Sequence, residues 1–366
     1  MIKISIIAGA RPNFVKIAPI IHEIQRRPDE IIKFRLIHTG QHYDSKMSNA
    51  FFEELNIPEP GVNLNCGGGS QTVQTANIMV AFESELIANP ADYVLVVGDV
   101  TSTMACSIVA KKLGTKVIHV EAGIRSGDIT MPEEINRIVT DSLTDVYFTT
   151  TLQASQNLIK LGFDSDKIFL VGNVMIDTLL GNLNKLRKPK IWDSLQLSNG
   201  NYFVLTLHRP SNVDDVDGFS EILNVISENT GNLPVIFPIH PRTKQNFLNA
   251  GNALKNIYVV DPMGYLEFNY LVKNAKAVIT DSGGITEEAT VLGIPCFTLR
   301  KNTERPETVD IGTNYLIGTE PAKVKIALNN FINGHQKKGG IPEFWDGKSS
   351  IRIIDKILQL NSAVNG

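Results

Sequence analysis

Residues 278–289 read VITDSGGITEEA: a β-branched apolar run, the turn Asp281-Ser282-Gly283-Gly284, and a helix start carrying Glu287 and Glu288. A short apolar run followed directly by a helical period is the repeating unit of a parallel sheet, because parallel neighbours need a crossover and a helix supplies it. The same order recurs at residues 94–106, VLVVGDVTSTMAC, and at residues 1–16, MIKISIIAGARPNFVK. Working outward, apolar runs at 3–8, 34–39, 93–97, 116–120, 146–150 and 167–171 predict six strands. Runs at 202–207, 235–239, 257–260, 277–280, 296–299 and 314–317 predict six more. Each series is the size of one doubly wound sheet. The fold class is therefore α/β, two Rossmann-like doubly wound domains with the carboxyl ends of their strands facing a cleft. A polar stretch at 182–201, containing KLRKPK and LSNGN, reads as a connection near the joint. The expected domains are residues 1–172 and 173–349, with a tail helix within 350–366 packing back onto the first.

Composition narrows the chemistry. The chain has 366 residues, 43% hydrophobic and 20% charged, with a formal net charge of -3. That balance allows two or three domains and excludes a polybasic nucleic-acid surface, so any anionic ligand must be met by cations gathered locally. Cys66, Cys106 and Cys296 are far apart and lack CxxC spacing, which argues against a disulfide framework or a zinc site and for a reducing cytoplasm. The N-terminal apolar run is too short for a signal peptide, and no run of about 18 apolar residues occurs, so neither secretion nor a membrane span is expected.

The first turn, Gly9-Ala10-Arg11-Pro12, lacks both GxGxxG and GxxxxGK[ST]. It instead offers Arg11 and Lys16 at a strand mouth and first helical turn, where cations and backbone N–H groups meet anions. Asp99 follows one apolar strand and Glu121 the next, in HVEAGIRSGD, with His119, Arg125 and Asp128 close by. Asp99 alone has a helix-capping reading. Two carboxylates at the ends of adjacent parallel strands point to function. Residues 131–137, MPEEINR, open a helix at Pro132, and Arg137, four residues after Glu133, reads locally as its helical ion-pair partner. In the second half, His208-Arg209 and His240 with Arg242 end consecutive strands, a repeated cationic pattern suited to an anion. The turn at Ser282, Gly283 and Gly284 exposes several N–H donors to a phosphate, Glu288 suits ribose hydroxyls, and Arg305 in TERPE adds a cation. A diphosphate cradle in one half and carboxylates in the other suit a nucleoside diphosphate sugar. These residues alone leave glycosyl transfer and epimerisation both open.

The blocks GARPNFVKIAP, TGQHYD, VVGDVTST, HVEAGIRSGD with MPEEINR, LTLHRPSN, PIHPRT, DSGGITEEA and NTERPETV together resemble the non-hydrolysing UDP-N-acetylglucosamine 2-epimerases, in order from Ile4 to about Trp345. The resemblance implies a GT-B-like pair of domains and reversible conversion of UDP-N-acetylglucosamine to UDP-N-acetylmannosamine, without metal or other cofactor. The expected partners are a UDP-sugar as substrate and a second copy of the chain in a homodimer, with no nucleic acid and no membrane. Matched by position, Asp99, Glu121, Glu133 and His208 are implied as catalytic. Arg11, Lys16, Arg137, Arg209, Ser282, Gly283, Gly284, Glu288 and Arg305 are implied in nucleotide and diphosphate binding. Gln41, His42, Gln71 and His240 are implied in a second, activating UDP-sugar site. Ser70 and Pro210-Ser211 depart from the family pattern beside that site. The rival readings are an epimerase of a related sugar such as a UDP-diacetamido-glucuronate, a hydrolysing relative, and an inactive UDP-sugar sensor.

Overall fold

The computed structural model describes residues 1–41, 52–239, 243, 244, 246, 247, 254 and 256–365. The chain divides into two compact units, Met1–Gly181 with Glu343–Gly366, and Asn182–Pro342. Both are parallel sheets wrapped by helices.

Among the described residues the first unit has seven strands: β1 Ile2–Ala8, β2 Ile32–His38, β3 Val62–Asn63, β4 Tyr93–Val97, β5 Lys116–Val120, β6 Val146–Thr149 and β7 Ile168–Leu170. Their spatial order is β3-β2-β1-β4-β5-β6-β7, and every pairing is parallel. All five residues of β4 are buried, as a strand covered on both faces requires. Helices Gln71–Ala88 and Thr101–Lys112 supply Ile78, Phe82, Leu86, Cys106 and Val109 to one layer of core, against Ile7, Val94, Val96 and Val117. Helix Arg11–Gln25 leaves β1 toward β2 while Thr101–Lys112 leaves β4 toward β5, so right-handed crossovers put them on opposite faces. The edge strand β3, two residues long, is absent from the apolar runs of the sequence because so short a strand has no period to read.

Among its described residues the second unit has six strands: β8 Phe203–Thr206, β9 Val235–Pro238, β10 Ile257–Val260, β11 Ala277–Thr280, β12 Cys296–Thr298 and β13 Asn314–Leu316. Their order, β10-β9-β8-β11-β12-β13, is the doubly wound pattern again. Phe203, Leu205, Phe219, Phe237, Phe297 and Phe331 fill one core layer.

The chain returns to the first unit through helix Ser349–Asn365, which packs on helix Arg11–Gln25. Its start is capped by Asp177, whose carboxylate accepts from Ser349 N at 3.0 Å, Ser350 N at 2.7 Å and Ser350 Oγ at 2.8 Å. Trp345 Nε1 donates to Thr150 O, and Arg352 Nη1 to Val171 O. Helix Val174–Asn182 carries Asp177, and its Thr178 Oγ1 donates to Val15 O, so this helix is bonded to the N-terminal helix too.

Gly172 makes the return possible. It sits at φ +92°, and a Cβ there would collide with the Phe344 carbonyl. Gly172→Ala is therefore expected to cost about 1–3 kcal/mol from the backbone alone, and more from the collision. A thermal midpoint unchanged from wild type would refute this account of the tail.

Candidate active site

In the first unit β2 and β4 flank β1, so the crossovers diverge at the carboxyl ends of β1 and β4 and leave a crevice there. Asn13 closes its floor. Its Oδ1 accepts from Gly9 N and Ala10 N, both at 3.0 Å, and its Nδ2 donates to Val97 O. One turn along the same helix, Lys16 Nζ meets Glu121 Oε2 at 2.6 Å, with both side chains buried. Glu121 occupies the left-handed region at φ +71°, a strained place for a side-chain-bearing residue. It is held there by Glu121 N and Ala122 N, which both donate to Phe148 O. Gly98 sits at φ +66°, a conformation that side-chain-bearing residues rarely adopt, and a Cβ there would also displace Lys16 Nζ. Arg11 lies at the helix start, half-buried.

Helix Pro132–Leu143 positions the second carboxylate. Arg137 Nη2 contacts Asp99 Oδ2 at 2.5 Å, and its Nη1 contacts Glu134 Oε2 at 2.8 Å. Asn136 Nδ2 donates to Asp99 O. Glu134 accepts from Ser126 N and Gly127 N. Burial pushes the Glu134 carboxyl up, but these two N–H donors and the guanidinium more than offset it and hold it below its ordinary value. The local pairing read between Glu133 and Arg137 is not the one formed. Glu133 is exposed, and the buried partner is Glu134, because residues 134, 137 and 141 share the inward face of this helix.

His119 and Asp141 are fully buried. His119 Nδ1 lies 2.7 Å from Asp141 Oδ1, and its Nε2 lies 2.9 Å from Gly98 O. The other oxygen of Asp141 takes Arg125 Nη1 at 2.6 Å and Gly123 N at 3.2 Å. Burial raises the Asp141 carboxyl, yet His119 and Arg125 together bring it below its ordinary value.

In the second unit the crossovers diverge between β8 and β11, and His208 and Asp281 follow those two strands. His208 Nδ1 meets Asp281 Oδ1 at 2.8 Å; the imidazole side chain is 57% exposed and the carboxylate fully buried. Asp281 Oδ2 also accepts from His208 N, Arg209 N and Asn212 Nδ2 at 2.9–3.0 Å. Burial raises this carboxyl, but the His208 imidazole and the backbone donors hold it below its ordinary value. The result is an oriented imidazole whose Nε2 is on the ring edge away from the carboxylate.

Ser282 precedes helix Gly283–Leu292 without capping it by its side chain, and a Cβ at Gly283 would meet nothing within 4 Å. The first N–H groups of that helix, Gly283 and Gly284 among them, are placed as donors for an anion. Glu288 is buried beneath, with Tyr265 Oη donating to its Oε1 at 2.8 Å. Arg305 Nε pairs with Glu287 Oε1 at 2.5 Å. Arg209 Nη2 lies 3.6 Å from Glu304, which also takes Arg300 Nη1.

Of the residues read as an activator site, Gln41 Oε1 accepts from Ser102 Oγ at 2.9 Å, and Gln71 is the exposed first residue of its helix. Ser70, a departure from the family pattern, caps that helix by accepting from Val73 N. His42 and His240 lie outside the described residues, as does Arg242.

A family model described as UDP-N-acetylglucosamine 2-epimerase matches residues 22–358. The chain belongs to this family. It is 42% identical to a UDP-N-acetylglucosamine 2-epimerase of Methanocaldococcus jannaschii, over 96% of this chain and 98% of that one. It is 40% identical to a UDP-2,3-diacetamido-2,3-dideoxy-D-glucuronate 2-epimerase of Pseudomonas aeruginosa, over 98% of this chain and 100% of that one. A crystal structure of the M. jannaschii UDP-GlcNAc 2-epimerase with UDP-GlcNAc and UDP superposes with a TM-score of 0.88 at 41% identity, covering 97% and 99% of the two chains.

In this epimerase-family chain, motif reading misses Glu134, Asn136, Asp141, Arg300 and Glu304, and it misses Asp281 as the partner of His208. The apolar period of helix Pro132–Leu143 gave no signal for the first three: its buried face is Glu134, Asn136, Arg137, Thr140 and Asp141, while Ile135 and Ile138 are exposed. Among the described residues no group of three His, Cys, Asp or Glu is arranged to hold a metal ion. No helix among them is long and apolar enough to cross a membrane.

Burial moves the Glu288 carboxyl from 4.5 up to about 7, against the lowering effect of Tyr265 and Asn269. Between those values the unfolded chain ionises while the folded one stays protonated, so stability falls as pH rises through that window. Glu288→Gln keeps the acceptor for Tyr265 and removes the titration. Its stability is expected to match wild type at about pH 4 and exceed it by about 3 kcal/mol near pH 8, read as a pH-dependent gap between thermal midpoints.

Proposed function

We propose that this chain interconverts UDP-N-acetylglucosamine and UDP-N-acetylmannosamine by inverting carbon 2. The observation that carries the reading is the pair of carboxylates, Asp99 and Glu121, each fastened to a cation at the carboxyl ends of adjacent strands in a member of this family. The second unit holds the nucleotide and diphosphate through Ser282, Gly283, Gly284, Glu288, Arg209 and Arg305. Arg11, Lys16 and Arg137 neutralise the phosphates from the first unit.

The proton on carbon 2 has no neighbouring carbonyl, so direct abstraction is too costly. Departure of UDP breaks the bond from carbon 1 to oxygen, the electron pair leaving with the diphosphate. The oxocarbenium character left behind acidifies the carbon 2 proton. A carboxylate from the set Asp99, Glu121 and Glu133 takes that proton, forming the carbon 1–carbon 2 double bond of 2-acetamidoglucal. Another member of the set returns a proton to the opposite face, and UDP adds again at carbon 1. His208, oriented by Asp281, donates to the departing diphosphate through Nε2; the carboxylate stabilises the imidazolium, as in other His–Asp pairs. The P. aeruginosa relative supports a second reading, the same inversion on UDP-2,3-diacetamido-2,3-dideoxy-D-glucuronate.

In heavy water, UDP-N-acetylglucosamine is expected to yield UDP-N-acetylmannosamine carrying deuterium at carbon 2, followed by proton NMR. Free sugar plus UDP would mean hydrolysis, and an inert mixture that turns over the diacetamido-glucuronate would establish the second reading. Asp99→Asn is expected to lose exchange by at least about 10²-fold while UDP binding persists.

We also propose that the protein is a homodimer. Val73, Val80 and Ile87 stand 50–68% exposed at seven-residue intervals on helix Gln71–Ala88. A stripe of that spacing is self-complementary about a two-fold axis near Val80, which is how identical surfaces pair. Val80→Glu is expected to shift sedimentation from dimer to monomer; a monomeric wild type would remove this proposal.

A further inference from the structure

The chemistry proposed above makes no use of the buried cluster formed by His119, Asp141 and Arg125. Its connections are nevertheless to both catalytic turns. His119 reaches Gly98 O, the carbonyl immediately before Asp99, and stands two residues before Glu121. Asp141 takes Gly123 N, two residues after Glu121, and Arg125 beyond it. One carboxylate on helix Pro132–Leu143 thus bears on the Gly98–Asp99 turn and on the Glu121–Arg125 turn, while Arg137, one helical turn earlier, holds the Asp99 carboxylate itself.

The proton inventory of His119 follows from its neighbours. A backbone carbonyl can only accept, and so can an ionised carboxylate. Both ring nitrogens therefore face acceptors, at zero exposure. Removing such charges from water is costly, and an apolar pair of similar volume is often as stable. Packing alone gives no reason for charges here; holding two turns in register does. We propose that Asp141 is a positioning residue which, through a doubly protonated His119 and through Arg125, sets the placement of Asp99 and Glu121. The kinetic part of this inference rests on the epimerase reading above; the structural part does not.

Two measurements test it. In wild-type protein labelled with ¹⁵N-histidine, long-range proton–nitrogen NMR at neutral pH is expected to show both ring nitrogens of His119 protonated, the signal being assigned by its loss in His119→Gln. A neutral tautomer overturns the proposal, and this readout needs no variant of Asp141 to fold and no turnover. In Asp141→Asn, kcat for carbon 2 exchange is expected to fall about 10²-fold, the scale of a small misplacement of reacting groups, with KM and UDP affinity changed less than about 3-fold. An unchanged kcat overturns it. So does a loss in which kcat and UDP affinity fall together with the folded fraction, the mark of a merely structural residue. A wild type inert toward UDP-N-acetylglucosamine would remove the functional reading alone, and the NMR result would still support or overturn the His119–Asp141 assignment.

Discussion

A charge withdrawn from water must find its counter-charge at hydrogen-bond distance or unfold the segment that carries it. That requirement organises both units of this protein. Lys16 with Glu121, Arg137 with Asp99 and Glu134, Arg125 and His119 with Asp141, His208 with Asp281 and Arg305 with Glu287 are all buried on at least one side. Most of them join segments far apart in sequence, and each fixes a turn at the carboxyl end of a strand. Asp99 and Glu121 are each held by an ion pair of their own, and the turns that carry them are tied by the His119–Asp141–Arg125 cluster. The left-handed Glu121 illustrates the consequence: strain at one residue persists because Lys16 and the Phe148 carbonyl over-determine its position.

The two units reach comparable sites by the same topological route. In each, the strand order reverses beside the first strand of the unit, opening a crevice that no crossover covers. The first unit furnishes it with carboxylates and their cations. The second furnishes it with an exposed imidazole on a buried carboxylate and with an open helix N-terminus. Each contribution gathers groups of both signs, which is why a net charge of -3 over 366 residues conveys nothing about either.

Much of the architecture was legible because strands buried on both faces are unbroken apolar runs, and twelve such runs correspond to strands of the two sheets. The thirteenth, Val62–Asn63, was not, since its pairing to Ile37 and His38 is made by backbone and leaves no mark on composition. The site was legible in its residue types and less so in its pairings. Glu133 and Glu134 are chemically identical neighbours, and only the rotation of the helix they begin makes one exposed and the other a partner of Arg137. Asp281 looked like part of a glycine turn, yet its carboxylate is spent on the His208–Asn212 segment.

The sequence by itself determined the alternation of strand and helix, the two doubly wound series, and the identity of the charged groups at strand ends. These follow from local period and from the motifs that follow each apolar run. Tertiary structure alone decided which charge meets which: that Lys16 crosses to Glu121, that Arg137 takes Asp99 together with Glu134, and that Asp141 reaches two turns at once. The reason is physical. Local patterns specify which segments are strands and which are helices, whereas ion pairing depends on the register of neighbouring strands and the phase of the helix above them, and those are set only when the sheet closes around its core.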